Sequence, residues 1–179
     1  AVTINAEIES QGGGSNLQAI IFDSSSCNIA ETNILHGIVS GSVCSSDCSA
    51  VYTVYEFYSL GASIPDFVII GNNQLDCPLC VGINFSGGLI DAPGFDVSLT
   101  GIGSQALLIQ GGISILADNL RLEGYSTSSI TPGEGIQLFD STIGVLISLT
   151  LTGQSNTVDA ILISNMIFNP ILDTVVEFN

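Results

Sequence analysis

Positive charge is almost missing from this chain. It has no lysine, one arginine (Arg121) and one histidine (His36) against 17 acidic residues, a formal charge of −16. A nucleic-acid partner is therefore excluded, because affinity for phosphates comes from clusters of Lys and Arg. Anionic membrane surfaces are disfavoured for the same reason. Charge of either sign is scarce, at 10% of residues, where an ordinary soluble surface carries roughly 25–35%. Much of the surface must then be Ser, Thr, Asn, Gln, Gly or apolar. Such a surface adheres to other surfaces, most simply to a copy of itself. Tryptophan is absent and the tyrosines are four (Tyr52, Tyr55, Tyr58 and Tyr125), so a platform for stacking sugar rings is poorly supplied. Uninterrupted hydrophobic runs are lacking too. The charge-free stretch between Asp140 and Asp159 is broken by Ser, Thr, Gly, Gln and Asn, so no membrane span is expected. With no signal-peptide pattern and Ala1 in place of an initiator Met, the expectation is a processed, mature chain.

What is present excludes disorder. Hydrophobic residues make up 46% of the chain and the mean hydropathy is +0.56, whereas disordered segments combine charge with low hydrophobicity. At 179 residues there is enough chain for one domain with a real core.

The strongest signal is an internal repeat. A small residue, an aliphatic, any residue and a large apolar residue recur as AIIF (19–22), GINF (82–85), ALLI (106–109), GIQL (135–138) and AILI (160–163). Each is followed by a short polar or glycine-rich step: DSSS, SGG, QGG, DST and SNM. A second alternating run then ends in glycine: VSLTG (to Gly101), LRLEG (to Gly124) and LTLTG (to Gly153), more weakly NILHG (to Gly37), and TVVEF (to Phe178) at the end. Apolar residues at alternate positions make strands with one buried face, and the glycines let the chain turn corners. No unit can bury its apolar face alone, but stacked units form a continuous core.

These starts and the continuations ILADNLRLEG and VLISLTLTG resemble the right-handed parallel β-helix superfamily. The resemblance covers 82–179, and 19–37 more loosely. It implies an all-β solenoid with coils of about 22–29 residues, six or seven of them, in a body roughly 30 Å long at 4.8 Å per rung. The alternative architecture is a β-sandwich of alternating strands. The domain reading is an N-terminal strand or arm with a Gly-rich hinge (QGGGSN) over 1–18, then a single solenoid domain over 19–179 with an irregular cysteine-containing region at 38–81. That region holds VYTVYEFY and DFVIIG and reads either as two irregular coils or as an inserted hairpin. AVTINAEIES reads as a first strand capping the solenoid or as an arm that adds a strand to a neighbouring subunit. The last repeat runs to the final residue without a dedicated cap, which suits a subunit that stacks on its neighbour.

Five cysteines, Cys27, Cys44, Cys48, Cys77 and Cys80, lie in the first half. With a processed N-terminus they point to an exported protein with disulfides, and the odd count leaves one thiol free or available between molecules. CSSDC and CPLC could instead hold zinc through four thiolates, but their spacing is not typical. Redox activity of CPLC lacks a surrounding βαβ pattern. The expected disulfide geometry places Cys48 almost above Cys27 and pairs Cys44 with Cys77 or Cys80.

Catalytic chemistry has few candidates. His36 has no acid–nucleophile constellation nearby. β-Helix lyases resemble a calcium-holding acid cluster beside a proton-abstracting base. Arg121 is the one candidate base, and its alternation with Leu120 and Leu122 makes it a solvent-facing arginine paired with Glu123 or Asp118. The GHG and RIK motifs of polygalacturonase-like sites are absent, and there is no DD, DxD or ExD, so a carboxylate pair for glycoside hydrolysis would have to form between coils. No cofactor is expected, and no EF-hand calcium loop is present. Subunits of charge −16 repel, so interfacial Ca²⁺ or other cations are the ions to look for. Asn84-Phe85-Ser86 is an N-glycosylation sequon, and the TxT at Thr150 and Thr152 is too little for an ice-binding ladder.

The function that follows is a structural, non-catalytic extracellular or cell-surface protein, self-assembling as a homopolymer into a filament, sheath or surface layer. In composition it resembles extracellular filament and sheath proteins. The alternative from another class is a polysaccharide-binding or depolymerising β-helix protein, with carbohydrate as its partner.

Overall fold

The computed structural model describes residues 2–10, 17–29, 33–41, 48–59, 66–75, 77, 79–129, 132–169 and 173–178. In chain order the strands are β1 (Val2–Ser10), β2 (Gln18–Ile29), β3 (Asn33–Gly41), β4 (Cys48–Ser59), β5 (Asp66–Asn73), β6 (Cys80–Ser86) and β7 (Leu89–Gly103). They continue as β8 (Gln105–Gln110), β9 (Ser114–Ser126), β10 (Ile136–Phe139), β11 (Thr142–Gln154), β12 (Ile161–Ser164), β13 (Ile167–Phe168) and β14 (Asp173–Phe178). Every pairing among them is parallel, and each strand lies on its counterpart in the next coil. The protein is a parallel β-solenoid. A sandwich of hairpins would need antiparallel neighbours, and the described strands have none.

The registers resolve three faces. Face A stacks 18–23, 48–53, 80–86, 105–110, 136–139 and 161–164. Face B stacks 26–29, 56–58, 89–92, 114–117, 142–145 and 167–168. Face C stacks β1, β3, β5, then 96–103, 119–126, 148–154 and finally β14. The described part of the irregular region is thus a rung of the same ladders: β4 and β5 supply all three faces of one coil, and no hairpin lies among the described residues. Its register on β2 and β6 is longer than in later coils (Gln18 on Ser49, Val51 on Ile83, against Ile136 on Ile161), which hid it from a search at the shorter period. β1 lies along β3 of its own chain, Val2 on Asn33 through Ser10 on Gly41.

Alternation produces the core. In β9, Ile115, Ala117, Leu120 and Leu122 are buried while Arg121 points out. Stacking aligns these positions into columns such as Leu35–Ile69–Leu99–Leu122–Leu151, members of one continuous cluster with Phe57, Phe67, Phe85 and Phe95. The Phe57 and Phe67 rings pack with centroids 4.8 Å apart. A second, smaller core beyond the closing glycines holds Val39, Cys48, Ala50, Leu75 and Cys80. Its rim is polar and hydrogen-bonded. Buried Asn73 donates to the Cys48 carbonyl and accepts from the Leu75 amide, and Ser104 and Ser126 donate to the carbonyls of Leu75 and Ser104.

The glycine that ends each repeat has a steric cause. Gly37, Gly71, Gly101, Gly124 and Gly153 form one column on face C. A Cβ there would lie 1.9–2.5 Å from the backbone carbonyl oxygen of Ala50, Gly82, Ala106, Gly135 or Ala160 respectively. Those partners open the next coil, so the two small positions of the repeat touch each other: the end of one coil against the beginning of the next. Where faces A and B meet, Gly87 and Gly111 adopt positive φ, and Asp140 and Asn165 do so in the later coils. Asn165 donates to the Asp140 carboxylate across that corner.

One core position breaks the pattern. Thr53 occupies a face A column between Phe22 and Phe85, is fully buried, and its hydroxyl has no hydrogen-bond partner. A buried hydroxyl without a partner carries its desolvation cost uncompensated. Thr53→Val should therefore stabilise the protein by about 1 kcal/mol, raising Tm by roughly 2–4 °C in a thermal melt. An unchanged or lower Tm would show that the hydroxyl is satisfied.

Candidate functional site

Core-column residues are exposed at the first and last described rungs. Within the body the core columns are sealed: Leu138 and Ile143 are each 0% exposed. One rung further along the same columns, Ile163 and Phe168 are 44% and 39% exposed. Ile167 and Val158 are exposed beside them. At the other end Ile4 is 41% exposed, although Leu35 beneath it is 5%, and Ile21 and Ile34 are exposed as well. Apolar area left in water costs roughly 25 cal/mol per Å², so both ends gain by being covered.

A second feature lies on the outside of face A. A groove of about 550 Å³ crosses four rungs, lined by Gln18, Ser49, Tyr52, Asn84, Gln105 and Gln110 together with Leu79, Val81, Ser86 and Leu108. No charged residue is among them, in a chain of charge −16. Its amides are partly engaged with one another, Gln110 donating to the Asn84 carbonyl oxygen at 3.3 Å. Asn84, the sequon residue, thus sits within a strand and in this groove.

Arg121 stands on the outer side of face C, 63% exposed, its guanidinium held by Glu123 through Nε at 2.7 Å and a second nitrogen at 2.5 Å. Glu123 also accepts from Thr100, so the arginine's partner is Glu123. Asp118 instead accepts the Gly94 amide. His36 lies half-buried on β3, on the outward column between Asn5 and Ile70. The structure does not bring Arg121 and His36 together. Beside Arg121, Asp96 accepts from Asn119, which accepts from Ser148, a ladder of short polar side chains up the outer wall. Among the described residues no three His, Cys, Asp or Glu converge as a metal site.

The cysteines pair differently from expectation. Cys77 and Cys80 are bonded to each other, with Cα atoms 5.2 Å apart, so neither takes Cys44. Cys48 is also disulfide-bonded, but it does not sit over Cys27: the β2–β4 register puts Cys27 opposite Phe57, at the far end of β4 from Cys48. Cys48 instead lies on Cys80 in the small core. With these sulfurs in disulfides, a four-thiolate zinc site does not form. Cys44 and the Cys27 side chain lie outside the described residues. The Cys77–Cys80 bridge pins the turn that carries exposed Leu79 to the groove.

Comparison with known proteins leaves the chain on its own: no family model, no curated protein and no solved structure matches it. No helix among the described residues is long and apolar enough to cross a membrane.

Proposed function

We propose that the protein is a structural, non-catalytic subunit that self-assembles outside the cell into a filament, sheath or surface layer. The observation that carries this reading is the exposure of core-column residues at both ends of the solenoid, Ile4 at one and Ile163 and Phe168 at the other. A rigid stacked body, a nearly Lys- and Arg-free sequence that resists trypsin-like cleavage, and the presence of disulfides support it. Negative-stain electron microscopy with sedimentation should show regular polymers of the purified protein. Discrete 18.5 kDa monomers at every concentration and salt would overturn the reading.

The charge-free groove on face A favours a second reading, binding of a carbohydrate. Three glutamines, an asparagine, a tyrosine and the exposed Leu79 offer hydrogen bonds and apolar contact to sugar hydroxyls and ring faces. No carboxylate lines the groove, so it suits holding a glycan better than cleaving one. Release of reducing ends or unsaturated products from an acidic polysaccharide would favour the depolymerising version.

A further inference from the structure

We propose that Asn84 is an N-glycosylation site and that the face A groove is the bed of the sugar chain it carries. This rests on the extracellular location proposed above, and it makes a covalently held sugar, rather than a soluble one, the occupant of the groove. Asn84-Phe85-Ser86 is the single Asn-x-Ser/Thr in the chain, with no proline between. The strand decides where its three residues point. Phe85 is inward and fully buried, while Asn84 and Ser86 stand half-buried on the outer face, as alternation along a strand requires. The acceptor amide and the sequon hydroxyl thus share the solvent side of β6.

The hydrogen bonding of Asn84 leaves its reactive nitrogen open. Gln110 donates to the Asn84 carbonyl oxygen at 3.3 Å, and among the described residues nothing accepts from Nδ2. An N-linked asparagine keeps that carbonyl oxygen and one N–H, so the modification removes no bond from the fold. In the transfer, Nδ2 attacks the anomeric carbon of an oligosaccharide activated on a lipid phosphate. The bond from that carbon to the phosphate oxygen breaks, the lipid phosphate leaves with the electron pair, and one Nδ2 proton passes to the transferase. In the folded chain β6 is paired along both edges, by β4 and β8. Transfer therefore belongs to the stage before β8 is laid over β6, while the sequon is still open chain.

The folded groove then receives what was attached. In the outward column Ile21–Tyr52–Asn84–Leu108, Asn84 has Tyr52 on one side and Leu108 on the other, each one rung or about 4.8 Å away. A sugar on Nδ2 lays its apolar ring face against these side chains. Its hydroxyls reach Gln18 and Gln105, whose side-chain amides have no partner among the described residues. At about 550 Å³ the groove falls in the range that holds a drug-sized molecule, enough for the first sugars. No charge lines it, which suits a neutral sugar in a chain of charge −16. On a surface this poor in charge, the sugar chain supplies hydration that side chains elsewhere would provide.

The site is read by mass. Protein isolated from its own source should exceed the 18.5 kDa of the bare chain by the mass of an oligosaccharide, and peptide mapping with a protease that needs no Lys or Arg should place that mass on Asn84. Carried through the secretory route of a glycosylating eukaryotic host, the unsubstituted chain and Ser86→Thr should both gain sugar, while Asn84→Gln and Ser86→Ala should not. Because transfer precedes folding, this readout stands even for a variant that folds poorly. Nuclear Overhauser contacts from the first sugar to the Tyr52 ring or the Leu108 methyls should locate the chain in the groove. Bare Asn84 in protein recovered from outside the cell would overturn the site and leave the location standing. Recovery from the cytoplasm alone, with Asn84 bare, would remove both. Sugar on Asn84 without those contacts would overturn the bed, and binding of cellohexaose by the source-purified protein would assign the groove to a free glycan instead.

Discussion

Gly101→Ala is expected to abolish the folded state. Its Cβ would stand 2.0 Å from the Ala106 carbonyl oxygen, and the obstacle is backbone, which cannot rotate away as a side chain can. Relief requires moving face C from face A through several rungs, because Gly71 and Gly124 hold the same separation above and below. Overpacking a core ordinarily costs about 1–3 kcal/mol, and a rigid backbone clash belongs above that range. Total stabilities are roughly 5–15 kcal/mol, so the loss should appear as insoluble protein or as a melt without a cooperative transition. Gly144→Ala is the control. Its nearest neighbour would be the Leu116 Cδ1 at 3.3 Å, a mobile side-chain tip, and the change should stay within about 1 kcal/mol. A soluble, cooperatively melting Gly101→Ala protein would show that the two faces are not held this closely.

The same glycines show what the sequence disclosed and what it did not. Alternation and a recurring small-residue start were enough to predict stacked parallel coils, because each column repeats one chemical choice at one register. The reason for the small residues was not visible. Gly101 and Ala106 are neighbours in sequence, yet their role is a contact between the end of one coil and the start of the next, which needs the turn between them. The region 38–81 was illegible for a related reason: its coil is longer, and Ala50 carries the start position in AVYT, with Thr53 where the repeat has a large apolar residue. Cysteine pairing failed where it depended on register. The β2–β4 ladder sets Cys27 on Phe57, nine residues beyond Cys48, because this coil is longer than the repeats that announce themselves in the sequence. The candidate site was the least legible part. Ile163 and Phe168 read as ordinary core residues, and only their exposure in the structure marks them as surface.

Assembly should be governed by the 17 carboxylates, and its salt dependence should be steep. Two bodies of charge −16 repel wherever they meet, and the range of that repulsion falls from about 30 Å at 0.01 M salt to about 3 Å at 1 M. Raising NaCl across this interval should carry the protein from monomer to polymer in a sedimentation assay. Lowering pH from 7 toward the isoelectric point near 4.1 should do the same at fixed low salt, because carboxylates take up protons around pH 4 and each proton removes one repelling charge. The sign is opposite to that of an assembly held by salt bridges, which salt and acid would dissolve. A third arm separates screening from a built cation site. CaCl₂ and NaCl compared at equal ionic strength should act alike if charge alone is being screened. Assembly at a calcium concentration far below the equivalent sodium would mean that carboxylates of neighbouring copies converge on the ion. Polymers that dissociate as salt rises would overturn the charge argument altogether, and the single Arg121 with its partner Glu123 would become the first contact to remove.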